Sequence, residues 1–184
     1  MSTLDNLFAD HQLIKAVTDA FEVYLSRLPT EKTEHQQDLH RFVTFFREYA
    51  DRSHHEKEET ILMPAMVAAG ADWGSEPLDK VRKDHQQERY LMRVLRQAAA
   101  LRTLWSEEDV RHLKSVGQEL VDFQRQHMVK EATLIYPLAK ELLVGDKGAQ
   151  LERELGEFEE LRKSHGYDGW LRELADELVK EYAQ

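Results

Sequence analysis

The chain has 184 residues, no cysteine and a formal net charge of −10, with 41% hydrophobic and 33% charged residues. That length suits one domain with a sizeable core, and the balance suits a globular protein rich in amphipathic helices. The absence of thiols excludes disulfides, zinc–thiolate sites and cysteine-ligated iron–sulfur clusters, and the acidity argues against nonspecific binding to nucleic acid or anionic membrane.

No stretch approaches the roughly 20 apolar residues of a membrane span. Residues 1–10 are acidic and lack a long apolar run, so no signal peptide is expected and the expected location is cytoplasmic. No segment alternates with period two, which leaves an all-α fold. Only four prolines and eight glycines punctuate the chain, mostly between periodic segments.

Helix 1 is expected from about Thr3 to Leu28, ended before Pro29, with an apolar stripe of Leu4, Leu7, His11, Ile14, Thr18, Phe21 and Leu25. Helix 2 runs from about Glu34 to Ala69, with Pro64 expected to bend it or end its regular part. Its stripe is Leu39, Val43, Phe46, Ala50, His54, Glu58, Ile61 and Ala65. A loop through Gly70, Gly74 and Pro77 leads to helix 3, about Glu76 to Thr103, with Leu78, Val81, His85, Met92, Leu95 and Ala99 in phase. Ser106 reads as an N-cap before an acidic first turn. It opens helix 4, which runs to about Val144 with the stripe Leu113, Val116, Leu120, Phe123, His127, Glu131, Leu134 and Leu138. After a linker at 145–148, two shorter amphipathic helices fill the tail, split at Gly166–Gly169. Their stripes, Leu151-Leu155-Phe158-Leu161 and Leu171-Leu174-Leu178, need burial on the bundle, in a homodimer or against a partner.

Each of the four long helices therefore carries a core-facing histidine. His11 lies 18 residues before Pro29, and His54 lies about 20 after helix 2 begins; His85 and His127 stand in the same relation to the third loop. In an up-down-up-down bundle all four sit at one level. A single core-facing histidine is usually hydrogen-bonded structure, but four at matching depth with two in-phase carboxylates are not accounted for that way.

The carboxylates come from a repeated phrase. His54-His55-Glu56-Lys57-Glu58-Glu59-Thr60 through Pro64 aligns without gaps on His127-Met128-Val129-Lys130-Glu131-Ala132-Thr133 through Pro137. Each holds His-x-x-x-Glu, which places an imidazole and a carboxylate on one helix face. His55 and Glu59 form a second such pair, rotated about 100° off the stripe, so His55 is expected beside the cluster or exposed. His35, His40, His112 and His165 are expected on the surface. Imidazole with carboxylate suits iron, manganese or zinc. Without metal, two carboxylates would be buried among apolar side chains at a cost of several kcal/mol each unless protonated or paired.

Taken together, Ala9-Asp10-His11, His54-His55-Glu56-Lys57-Glu58-Glu59 with Leu62-Met63-Pro64, Lys83-Asp84-His85, and His127 to Glu131 with Tyr136-Pro137 resemble the hemerythrin-like (HHE cation-binding) family over about Leu4 to Val144. The resemblance implies a four-helix bundle over 1–144 around a non-haem centre of two iron ions, oxo- or hydroxo-bridged when oxidised, with manganese or zinc less favoured. His11 and His54 would hold one iron and His85 and His127 the other, with Glu58 and Glu131 bridging. Residues 145–184 form a C-terminal helical extension. Oxygen carriers of the family take two helix-3 histidines four residues apart. Here Arg89 follows His85 at that spacing, so four histidines are expected and each iron keeps room for a small ligand. Glu88 is expected in a surface salt bridge, and nothing selects among Tyr24, Tyr49, Tyr90 and Tyr136 as neighbours of the centre.

The expected function is binding or reduction of dioxygen, hydrogen peroxide or nitric oxide. If the protein is an enzyme, peroxide decomposition or nitric oxide handling is the expected chemistry. The alternatives are a non-enzymatic oxygen, redox or iron sensor, and an iron donor for iron–sulfur cluster repair, which the absence of cysteine disfavours.

Overall fold

A computed structural model describes residues 3–28, 34–101 and 103–183; the expected helix end at Pro29 lies outside these residues. All regular structure among them is helical. Helix α1 spans Thr3–Arg27. Helix α2 (34–68) begins as Glu34–Phe45, widens into π-helical Phe46–His55 and Glu58–Leu62, and ends as Met63–Ala68. Helix α3 spans Glu76–Ala99, four residues short of the expected Thr103. Helix α4 (107–142) comprises Glu107–Lys130, a π-helical turn Glu131–Ile135, and Tyr136–Leu142. Helices α5 (Asp146–Ser164) and α6 (Tyr167–Glu181) form the tail.

Local chemistry sets these limits. Ser106 accepts from the Asp109 N–H at 3.1 Å while its own N–H donates to the Asp109 carboxylate at 2.8 Å, a reciprocal cap that starts α4. Gly166 adopts φ +72°, a left-handed conformation that favours glycine, and so breaks α5 from α6. Contacts run from α1 to α4, α4 to α3, α3 to α2 and α2 back to α1, giving an up-down-up-down bundle. At Gly117 the backbone of α4 closes on α1: a Cβ there would stand 2.6 Å from Leu25 Cδ2.

Helix α2 continues past Pro64 to Ala68, one residue short of the expected Ala69, and α4 continues past Pro137 to Leu142. Pro64 and Pro137 end neither helix. Each follows a single π-helical turn, Glu58–Leu62 and Glu131–Ile135. Proline cannot donate to the carbonyl four residues back and its ring crowds it; a widened turn with five-residue bonds accommodates both problems. The extra residue per turn slips the stripe by one position. Leu62 and Met66 are fully buried where Ile61 and Ala65 were expected, and Ile135 and Ala139 where Leu134 and Leu138 were expected; Leu134 is exposed.

The core has two apolar bodies on either side of the histidine level. One holds Phe21, Phe42, Phe46, Leu95 and Leu120, joined by Leu171, Ala175 and Leu178 of α6. The other holds Leu7, Leu62, Met66, Val81 and Ile135, joined by Leu151 and Leu155 of α5. The α5–α6 hairpin thus lies across α1 and α2. Leu161, expected on the α5 stripe, is exposed. Among the described residues no helix is long and apolar enough to cross a membrane.

Candidate metal centre

The four long helices bring His11, His54, His85 and His127 to one level in the bundle, with Glu58 and Glu131 among them, all buried. Donor atoms of His11, His54, Glu58 and Glu131 lie within 4.8 Å of one another, and so do those of Glu58, His85, His127 and Glu131. Both groups contain both carboxylates. Glu131 stands between α1, α3 and α4: its Oε2 is 3.0 Å from His11 Nε2, and its Oε1 is 3.1 Å from His127 Nε2 and 3.4 Å from His85 Nε2. Glu58 Oε2 is 3.5 Å from His85 Nε2 and 3.7 Å from His54 Nε2.

Of these contacts only His85 Nε2 to Glu131 Oε1 is aligned as a hydrogen bond. Both ring nitrogens of His54 and of His127, and Glu58 Oε2 and Glu131 Oε2, are buried without a hydrogen-bond partner. Buried polar atoms are rarely left so. Donors about 2.1 Å from one cation stand roughly 3.0–3.4 Å apart at right-angled to tetrahedral geometry. Most of the separations observed here fall in or near that range, so the residues present fit a pair of cations. Burial would raise Glu131, yet the surrounding imidazoles hold its carboxyl far below the usual range.

Behind the rings stands a frame that is repeated in the two halves of the bundle. Asp10 Oδ2 lies 3.5 Å from His54 Nδ1 and accepts from Lys57 Nζ at 2.5 Å; Asp84 Oδ2 lies 3.6 Å from His127 Nδ1 and accepts from Lys130 Nζ at 2.5 Å. His85 Nδ1 pairs with Glu59 Oε1 at 2.7 Å, and Arg89 holds that carboxylate at 3.0 Å. Carboxylates behind imidazoles orient the rings and raise their basicity toward a metal. Burial opposes charge on Asp10, but the His54 contact and Lys57 outweigh it and keep Asp10 ionised well below the usual pH.

Three residues join the cluster that the sequence stripes did not place there. His55 is buried; its ring stacks on His85 at 4.0 Å and meets His127 edge-on at 5.3 Å. Donor atoms of His55, His85 and His127 form a third close group. The π-helical stretch Phe46–His55 explains this, because five-residue turns rotate successive side chains less and carry His54 and His55 inward together. Glu88 is buried, not in a surface ion pair. It accepts from Gln124 Nε2 at 3.0 Å and faces His55 Nε2 at 3.6 Å. The signal was present: the helix 3 stripe jumped seven residues from His85 to Met92, and Glu88 fills that gap. Burial raises the Glu88 carboxyl, and burial with the neighbouring imidazoles keeps His55 neutral. Tyr136 is the tyrosine at the centre. Its hydroxyl donates to Glu58 Oε1 at 2.8 Å and lies 3.1 Å from His11 Nε2. The one-residue slip after Glu131 turns it inward. Tyr49 instead donates to Asp10 at 2.7 Å, Tyr24 bonds the His35 carbonyl, and Tyr90 is exposed.

Residues 2–139 match the family model of the hemerythrin HHE cation-binding domain, so the chain belongs to that family. No curated protein and no solved structure matches it.

Proposed function

We propose that this member of the hemerythrin HHE family holds two iron ions and binds or reduces a small oxidant: dioxygen, hydrogen peroxide or nitric oxide. His11 and His54 would hold one iron and His85 and His127 the other, with Glu58 and Glu131 serving both and His55 adding a third imidazole to the second. The observation that supports this most is the pair of four-donor groups sharing two buried carboxylates, each with one oxygen, Oε2, that lacks a hydrogen-bond partner. Bound iron would supply redox chemistry, with two electrons available in one place.

The chain's own residues define the surroundings. One turn away on one side stand buried Leu7, Leu62, Val81 and Ile135, which limit water. On the other side stand Ile14 and Ala50 in the first half, and Glu88 and Gln124 in the second. Tyr136 keeps its proton, because burial and the Glu58 and Glu131 charges push its hydroxyl well above the usual range, and it directs that proton at Glu58 Oε1. A small apolar-accessible molecule fits such a site better than a large polar substrate.

Metal analysis of purified protein with its visible spectrum tests the reading. Two irons per chain are expected. One tightly held zinc, or no metal, overturns it. Gas evolution from peroxide that is lost in His54→Ala marks turnover; a stable ligand-bound spectrum without turnover marks a binder or sensor.

A further inference from the structure

We propose that Arg162, on the hairpin beyond the family-matching residues, is a positioning residue for the cluster: it holds the π-helical stretch of α2 in the register that turns both His54 and His55 inward. The claim about the stretch stands on geometry; its consequence for cations rests on the two-iron reading.

The stretch needs support. Phe46–His55 is ten residues of π geometry, whereas α4 contains only the five residues Glu131–Ile135 and is α-helical through His127. Such geometry normally survives for a single turn. Where five-residue bonds give way to four-residue bonds, the ladder skips a carbonyl. The Glu56 N–H reaches back to the carbonyls of Asp51 and Ser53. Between them lies the carbonyl of Arg52, and it accepts from Arg162 Nη1 at 3.1 Å. Arg162 Nη2 donates to the carbonyl of Glu48, four residues earlier, also at 3.1 Å. One guanidinium therefore spans a turn of the widened helix. It is itself fixed, since Nε donates to Asp168 Oδ1 at 3.0 Å across the α5–α6 turn.

The same hairpin touches the frame behind His54. Glu159 lies 3.6 Å from Lys57 Nζ, and Arg172 lies 3.7 Å from Asp10 Oδ1. In α4 the residue after His127 is Met128, half-buried, and the adjoining backbone keeps α geometry. The inward turn of two successive side chains thus occurs in the helix that the hairpin grips.

Amide hydrogen exchange on the full metal-free chain tests the first part. Arg162→Met should speed exchange across residues 46–57 about tenfold and leave 131–135 unchanged, with Arg162→Lys intermediate. Asp168→Asn, which loosens Arg162 without removing it, should give the same pattern more weakly and serves if Arg162→Met folds poorly. Cobalt(II) titration tests the second part: Arg162→Met should weaken one of two cations by about 10- to 100-fold and alter the visible spectrum, with partial rescue in Arg162→Lys. Exchange that is unchanged, or that rises equally in 131–135, overturns the proposal. So does faster exchange in 46–57 with a wild-type cobalt titration and spectrum. If the wild-type chain takes up no cation pair, the two-iron reading fails, and the exchange contrast alone decides the role of Arg162.

Discussion

In the α1–α2 half of the site, Asp10 and Lys57 stand behind His54; in the α3–α4 half, Asp84 and Lys130 stand behind His127. The frames match residue for residue, but their surroundings do not. Lys57 is 4% exposed beneath the C-terminal hairpin, whereas Lys130 is 35% exposed. Counting from the shared histidines, Tyr136 corresponds to Met63, His55 to Met128, and Glu88 to Ile14. The first half thus gains a phenol from across the bundle, and the second gains an imidazole and a carboxyl. A repeated frame fixes where donors stand, and a few unpaired positions decide how each half differs.

The sharpest way to break this comparison is to remove the two lysines. Lys57→Met leaves Asp10 buried beside His54 without its bonded cation, with only half-exposed Arg172 at 3.7 Å, and should destabilise the protein by about 3 kcal/mol. Lys130→Met, with solvent near Asp84, should cost less than about 1 kcal/mol. Denaturant unfolding of both variants checks this, and equal losses would mean that the hairpin does not distinguish the halves.

In pH dependence the halves run together, because, against burial, His54 and His127 are both raised by their carboxylate neighbours. In the metal-free protein, burial opposes charge on His127, but Glu131 and the Asp84 contact raise its pKa to about 9. A group raised in the folded state contributes stability that is complete below about pH 6.5 and lost as pH rises through 9, at about 1.4 kcal/mol per pKa unit. Metal requires the neutral ring, so loaded protein should become more stable over the same range. Thermal melts from pH 6 to 10 with and without iron should therefore run in opposite directions; parallel curves would count against these imidazoles as ligands.

His55→Leu should act on the second half alone. It should weaken one cation about 10- to 100-fold, the scale seen for residues that support a metal site, and leave the other in place. Loss of both in a competition titration would refute the asymmetry. Tyr136→Phe tests the phenol that has no counterpart in the other half. It removes one hydrogen bond to a carboxylate and should cost the metal-free protein about 1.5 kcal/mol, read by denaturant midpoint, with Met63→Leu as the matched control.

Much of this was legible in the sequence. Period and punctuation placed the helices to within a few residues, and four histidines at equal distances from the loops anticipated a common level. What the sequence hid was the helix geometry itself. A stripe drawn at 3.6 residues per turn selects His54 and discards His55, and it continues to Leu134 and past Tyr136. The structure changes pitch at Phe46, Glu58 and Glu131, and each change moves side chains that ideal spacing assigns elsewhere. Glu88 was missed for a different reason: a carboxylate reads as surface until the gap in its stripe is noticed.

Gly117 has a consequence for the distances measured far from it. It lies ten residues from His127, roughly 15 Å along α4, at the place where α4 and α1 come together over buried Leu25. His11 rides on one of these rods, and His127 and Glu131 on the other. The bare backbone at position 117 works as a fulcrum. A methyl group inserted there would have to displace the buried Leu25 side chain from the seam between the two rods. Position 117 thus bears on how the two rods that carry the polar centre meet, beside a polar clasp in which Gln118 Nε2 donates to Glu22 Oε1 of α1 at 3.1 Å.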